Sequence, residues 1–155
     1  MANMTSPFSL AVATPTRSGS FCMDYVGSVL ELQHQCLARG IDFRFLPLVN
    51  VTLIDLARNT LANRFLWETS CTHLLFVDDD MGFHAGELAR MFALPGDAAT
   101  MSIGHEPVRM SGIPTGLMMI SRECLMKLVS GGRVSQINPG TEVNGQVVKR
   151  EASDL

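Results

Sequence analysis

Asp78, Asp79 and Asp80 stand side by side in a chain whose 155 residues are only 17% charged. Adjacent carboxylates repel one another unless a cation or a basic side chain offsets them. Hard divalent cations such as Mg²⁺ and Mn²⁺ prefer carboxylate oxygens and keep open positions for phosphate oxygens. In an extended segment Asp78 and Asp80 face one side and Asp79 the other. That spacing makes Asp78 and Asp80 the candidate metal ligands. A solvated acidic loop, or a cap on the next helix, is the plainer alternative. The preceding Thr72-His73-Leu74-Leu75-Phe76-Val77 is the most strongly apolar stretch of the chain. It reads as a buried central strand that delivers the triplet to one end of a sheet.

Other residues with usable chemistry cluster around the expected strand ends. Thr14-Pro15-Thr16-Arg17 follows the apolar run from Phe8 to Ala13, and Arg17 is placed there for phosphate or base contact. Arg58 falls on the polar face of a helix, where a solvated surface arginine is the plainer role; contact with a phosphate, or service as counter-charge to the triplet, rests on the resemblance given below. Asn59 beside it reads as structural. His84 follows the triplet and is a candidate third ligand, with helix-start packing as the simpler role. His73 has no metal-spaced partner and reads as structural. His105 and Glu106 lie in a loop flanked by Gly and Pro, where either is a candidate general base. Thr115 and Gly116 open a strand, where a missing side chain permits close approach. Trp67 and the Met118-Met119 pair read as packing residues.

The elements that must position these groups follow from the hydrophobic pattern. Phe8 to Ala13 is a strand running into a Pro- and Gly-bounded loop. Asp24 to Arg39 is a helix with Val26, Val29, Leu30, Gln33, Cys36 and Leu37 on one face and Gly40 at its end. Phe43 to Val49 is a second strand. Thr52 caps a helix over 53–68 with a stripe of Leu53, Leu56, Ala57, Leu61, Phe65 and Leu66. A strand over 72–77, a short helix over 84–92 and a strand over 116–120 come next. Ser121 then caps a helix that ends near Val129 before Gly131-Gly132. Asn144-Gly145 between β-prone pieces marks a hairpin. Alternating strands and helices of this length predict an α/β fold in one domain spanning 1–155. Its sheet is mostly parallel, with helices on both faces. Ligands of such sheets gather beyond the carboxyl ends of the strands.

Composition removes several classes. Fifteen acidic against 12 basic residues give a net charge of −3, so no basic footprint for nucleic acid exists. No apolar run reaches the roughly 18–20 residues of a membrane span, and the N-terminus lacks a basic n-region. Cys22, Cys36, Cys71 and Cys124 are widely spaced, which predicts reduced and mostly buried thiols and a cytoplasmic setting. An uncovered sheet edge would favour a homo-oligomer.

Several segments together resemble a known family. They are Ala57-Arg58-Asn59-x-Leu61, Phe65-Leu66, the run Thr72 to Asp80 with Met81-x-Phe83, Pro15-Thr16-Arg17, and Thr115-Gly116-Leu117-Met118-Met119-Ile120-Ser121-Arg122. In this order they are similar to bacterial and phage glycosyltransferases of the GT-A type, over about residues 8–130. The resemblance implies a nucleotide-diphosphosugar fold with an Asp-x-Asp motif. It implies Mn²⁺ or Mg²⁺ on Asp80, with Asp78 on the metal or on the donor ribose. It implies a base pocket at Thr14, Pro15, Thr16 and Arg17. Arg58, Asp79, Thr115 and Gly116 complete the implied donor set. The implied donor is a UDP- or GDP-sugar, and the acceptor is an unidentified hydroxyl. The segment between Asp80 and Thr115 is shorter than the family's. Glu142, Glu151 and Asp154 are scattered where the family carries an acidic cluster. The expectation is therefore a donor-binding half with the acceptor half reduced or missing. The alternatives are a non-catalytic nucleotide-binding or structural remnant, and a nucleotidyltransferase. The latter's glycine-rich basic loop is poorly matched, since Thr14 to Ser20 has one glycine and one basic residue.

Overall fold

In the computed structural model, residues 8–86, 88, 100–103, 106–109, 116–132, 142–143 and 146–147 are described. Along the chain these form β1 (Ser9–Thr16), α1 (Met23–Ala38), β2 (Asp42–Val49), α2 (Ile54–Glu68), β3 (His73–Val77), β4 (Thr100–Ile103), β5 (Glu106–Arg109), β6 (Leu117–Ser121), α3 (Arg122–Ser130), β7 (Glu142–Val143) and β8 (Gln146–Val147). The fold is α/β. Its main sheet has four strands in the order β2-β1-β3-β6. β1 is parallel to β2 and β3, and β6 is antiparallel to β3.

β1 and β3 are buried on both faces, which explains their unbroken apolar runs. Their residues divide alternately between two cores. Leu10, Val12, Leu75 and Val77 pack with Tyr25, Leu32 and Cys36 of α1. Ala11, Ala13, Leu74 and Phe76 pack with Ala57, Leu61 and Phe65 of α2, and Leu125 of α3 joins that side. Helices therefore cover both faces. β2 lies at an edge, where Pro47 removes no ladder donor needed by a neighbour. There Leu46 and Leu48 are buried while Phe45 and Val49 stay exposed.

Several expectations shift in detail. α1 buries Tyr25, Ser28, Leu32 and Cys36, and it exposes Leu30 and Leu37. The buried stripe is rotated from the expected face because a tyrosine and a serine occupy core-side positions. Thr52 does not cap α2. The N-cap position is Leu53, with no side-chain cap bond, so Thr52 stands one residue too early. Leu53 and Trp67 are exposed and do not pack in the core. Ser121 does cap α3, accepting from the Cys124 amide at 3.1 Å. Gly132 follows the helix with φ of 61°, a conformation that favours glycine. The loop expected around His105 and Glu106 is instead bracketed by paired strands, with β4 and β5 antiparallel and Ile103 opposite Glu106. Gly104-His105 is a Gly-x hairpin signal between β-prone pieces. The pairing of β7 with β8 agrees with the hairpin expected at Asn144-Gly145. Of the helix expected over 84–92, Ala85, Gly86 and Leu88 are helical, and the remainder lies largely outside the described residues. Cys36 and Cys71 are buried, but Cys22 is exposed.

Among the described residues, no helix is long and apolar enough to cross a membrane.

Candidate functional site

The strand order places a reversal between β1 and β3. The chain leaves β1 through α1 to reach β2 on one side, then returns through α2 on the opposite face to reach β3 on the other. In open α/β sheets such a reversal leaves a crevice beyond the carboxyl ends of the two strands, and ligands bind there. Both polar clusters singled out in the sequence, Thr14 to Arg17 and Asp78 to Asp80, end up at this place.

The acidic triplet is not extended. β3 stops at Val77, and the chain turns, with the Met81 amide donating to the Asp78 carbonyl at 3.1 Å. The alternation expected of a strand therefore does not govern the three carboxylates. Asp78 is held on two sides. Its amide donates to the Gly116 carbonyl at 2.9 Å, and its carboxylate accepts from Arg58 Nη2 at 3.1 Å. Arg58 projects from the first turns of α2 and its side chain is only 17% exposed. It is the counter-charge anticipated for the triplet. Asp80 is exposed, and Asp79 is half-buried.

Gly116 contributes by lacking a side chain. A Cβ there would sit 3.4 Å from Asp78 Oδ2 and 3.6 Å from the Met81 side chain. The close approach expected at this glycine is thus made by the acidic turn itself. Because β6 runs antiparallel to β3, the start of β6 meets the end of β3 with Val77 opposite Leu117.

The segment expected to line a base pocket is mostly inside the molecule. Thr14, Pro15 and Thr16 are the last residues of β1 and are buried. The Thr14 hydroxyl is engaged with the Tyr25 hydroxyl at 2.5 Å. Thr16 Oγ1 donates to the Ser20 carbonyl and accepts from the Gly19 amide, which shapes the following loop. Arg17 is the exposed member of the set. Burial pushes the Tyr25 phenol above its usual range. The Thr14 bond opposes that rise, and the charge of Asp79 adds to it.

The remaining candidates separate. Arg122, part of the segment that resembles a donor-sugar motif, lies at the far end of the sheet from Asp78. Its Nε donates to the Cys71 carbonyl, Nη1 to Leu66, and Nη2 to Phe65 and Thr69. It ties down the carbonyls at the end of α2, a role open to arginine where no glycine cap exists. His73 is half-buried beside Thr72 Oγ1 at that same end, and burial lowers its pKa. His84 is exposed. Glu106 opens β5, while His105 and Thr115 lie outside the described residues. Among the described residues, no three His, Cys, Asp or Glu side chains gather as a metal-holding group.

Sequence reasoning missed the residues that fix the turn from α1. The Cys22 amide donates to the Asp79 carbonyl at 2.9 Å, and the Phe83 amide donates to Ser28 Oγ at 2.9 Å. No sequence signal marked Ser28, because the apolar face expected for α1 did not include it, whereas the structure buries it beside Tyr25 and Leu32.

No family model and no curated protein matches the chain. Among solved structures, A197 from STIV is similar at 16% identity, with a TM-score of 0.48 over 91% of this chain and 75% of that one. A glycosyltransferase involved in the glycosylation of the major capsid of PBCV-1 is similar at 14% identity. Its TM-score is 0.41, over 81% of this chain and 67% of that one.

Proposed function

We propose that the chain is a GT-A-like domain that binds a nucleotide-diphosphate sugar at the crevice between β1 and β3. The reading adds glycosyl transfer to an acceptor hydroxyl as the reaction. The observation that carries it is the placement of Asp78. This carboxylate ends a buried central strand at the chain reversal and is held by Arg58 beside a glycine backbone. The ordered sequence resemblance supplies the chemistry.

The donor set suits a divalent cation. Asp78 and Asp80 are hard oxygen ligands. Asp78 and Asp80 would be the residues that hold it, through the carboxylate oxygens that Mg²⁺ prefers in phosphate-binding enzymes. The ion, when bound, offsets the charge that builds on a departing nucleoside diphosphate. Arg58 orients Asp78 and keeps positive charge at the same place. Arg17 lies on the exposed rim for a phosphate or base contact. Thr14 and Tyr25 brace the floor from inside.

The test is calorimetry of UDP, GDP and their sugar conjugates, with Mn²⁺ and again with EDTA. Metal-dependent micromolar binding of one nucleotide series supports the reading. A cooperatively melting protein that binds none of them sinks it. The Arg58–Asp78 pair favours one second reading, a domain that binds nucleotide without turnover, because one carboxylate of the motif is already neutralised. Sugar-nucleotide hydrolysis in the absence of acceptor separates the two. Pyrophosphate release from a nucleoside triphosphate and a sugar phosphate would instead identify a nucleotidyltransferase.

A further inference from the structure

Ser28 occupies the buried stripe of α1 between Tyr25 and Leu32, and it is 8% exposed. A serine inside a helix is neutral to unfavourable there, and its hydroxyl usually turns back to the carbonyl four residues earlier. Ser28 does so, donating to the Asp24 carbonyl at 2.7 Å. That bond uses its only proton and leaves its lone pairs for an acceptor role. The Phe83 amide takes one of them at 2.9 Å. Phe83 lies outside any helix or strand, so no ladder serves this N–H.

Two further contacts join the same two segments. The Cys22 amide holds the Asp79 carbonyl at 2.9 Å. Between these ties, Gly82 passes so close to α1 that a Cβ on it would stand 3.0 Å from the Asp24 Cβ. The acidic turn is thus pinned before and after Asp80. The pinning element is itself fixed to the sheet by Tyr25, Leu32 and Cys36. Side chains that must present a ligand-binding geometry need this kind of outer support.

We propose that Ser28 is a positioning residue of the acidic turn. Its hydroxyl holds residues 79–83 against α1 and so sets where Asp79 and Asp80 present their carboxylates. The structural half of this inference stands on the contacts alone, and its functional half rests on the donor-site reading above. In Ser28→Ala the Phe83 amide loses its acceptor in a confined place. In Ser28→Thr the hydroxyl is kept.

The experiment is amide hydrogen exchange and backbone chemical shifts on the full chain, paired with Mn²⁺-dependent binding of UDP and GDP. In Ser28→Ala, Phe83 exchange is expected to rise by about tenfold or more. The Asp79 and Asp80 shifts should move, while the Asp78 amide, held by Gly116, keeps its protection. Nucleotide affinity should fall by about tenfold. Ser28→Thr should restore all of these. Should Ser28→Ala fail to melt cooperatively, Ser28→Cys fills the site with a slightly larger side chain and weakens the acceptor, so the same changes are expected at smaller size. Unchanged Phe83 protection, or faster Phe83 exchange with unmoved Asp79 and Asp80 shifts, overturns the proposal. Moved shifts with unchanged nucleotide affinity overturn its functional half. If the wild-type chain binds neither nucleotide with Mn²⁺, the donor reading fails, and exchange and shifts still decide the role of Ser28.

Discussion

The two ends of the four-stranded sheet are built on opposite terms. At the amino ends of β1 and β3 the polar groups satisfy one another. Thr72 Oγ1 accepts from the Ser9 amide at 2.9 Å and donates to the Ser9 carbonyl at 3.0 Å. Arg122 serves carbonyls from Phe65 to Cys71 and lies 4.4 Å from the Phe65 ring centroid. At the carboxyl ends three aspartates follow one another, Asp78 pairs with Arg58, and Asp80 faces solvent. One end is closed by internal hydrogen bonds, and the other concentrates like charge. Carboxylates gathered at the end of a buried strand mark a candidate site, and the donor-binding proposal rests on this one.

The largest effect is expected at the closed end. Arg122→Ala removes several charge-assisted bonds and strands the last carbonyls of α2 without a partner. It should cost about 3 kcal/mol. For a chain of this size that lowers the melting temperature by on the order of 10 °C. Arg122→Lys should recover little, because an ammonium cannot reproduce the guanidinium fork. Nucleotide affinity of the folded fraction should stay within about twofold, as a 1 kcal/mol change would already exceed that. A variant that melts normally but loses donor binding would break the contrast and return Arg122 to the donor sugar.

Arg58→Ala tests the open end and should cost less stability, about 1 kcal/mol, since the pair is partly exposed. Its functional effect should be larger than its structural one. Asp78 loses its orienting partner, so metal-dependent nucleotide affinity should fall by about tenfold, measured by calorimetry beside a thermal melt.

How much of this was legible follows from which forces are local. β1 and β3 were readable because burial on both faces leaves an unbroken apolar run. The Asp-rich turn was readable as the end of such a run. Arg58 was readable as a counter-charge only through the family resemblance, since a polar helix face by itself also fits a solvated arginine. The rotation of α1 was not readable, because Tyr25 and Ser28 bury through partners distant in sequence, Thr14 and Phe83. The role of Arg122 was not readable for a related reason. Its segment resembles a donor-site motif, but the antiparallel direction of β6 carries its end away from Asp78, and direction is not written in a five-residue strand.

His73 offers a smaller, pH-dependent probe of the closed end. Burial lowers its folded pKa below the ordinary histidine value of about 6.5. The unfolded chain therefore binds the proton more readily, and the stability held above about pH 6.5 declines as pH falls toward the folded pKa. His73→Gln should flatten that part of the pH–stability curve. An unchanged slope would show that His73 does not set this part of the curve.

Asp80→Ala should have the smallest effect on stability and discriminates most sharply between the ends. Asp80 is exposed, so its removal should leave the melting midpoint within about 0.5 kcal/mol of wild type, or raise it slightly by relieving repulsion within the triplet. Metal-dependent nucleotide binding should nevertheless disappear in calorimetry. A residue that contributes nothing to the fold but is indispensable for binding is what the contrast between the two ends requires. If Asp80→Ala binds as wild type does, the cation is not held by this turn. Asp78 with Arg58 would then be a structural pair, and the open end would lose its claim to be a site. If the variant instead unfolds, Asp80 is engaged within the chain, and the carboxyl end is closed by contacts of its own.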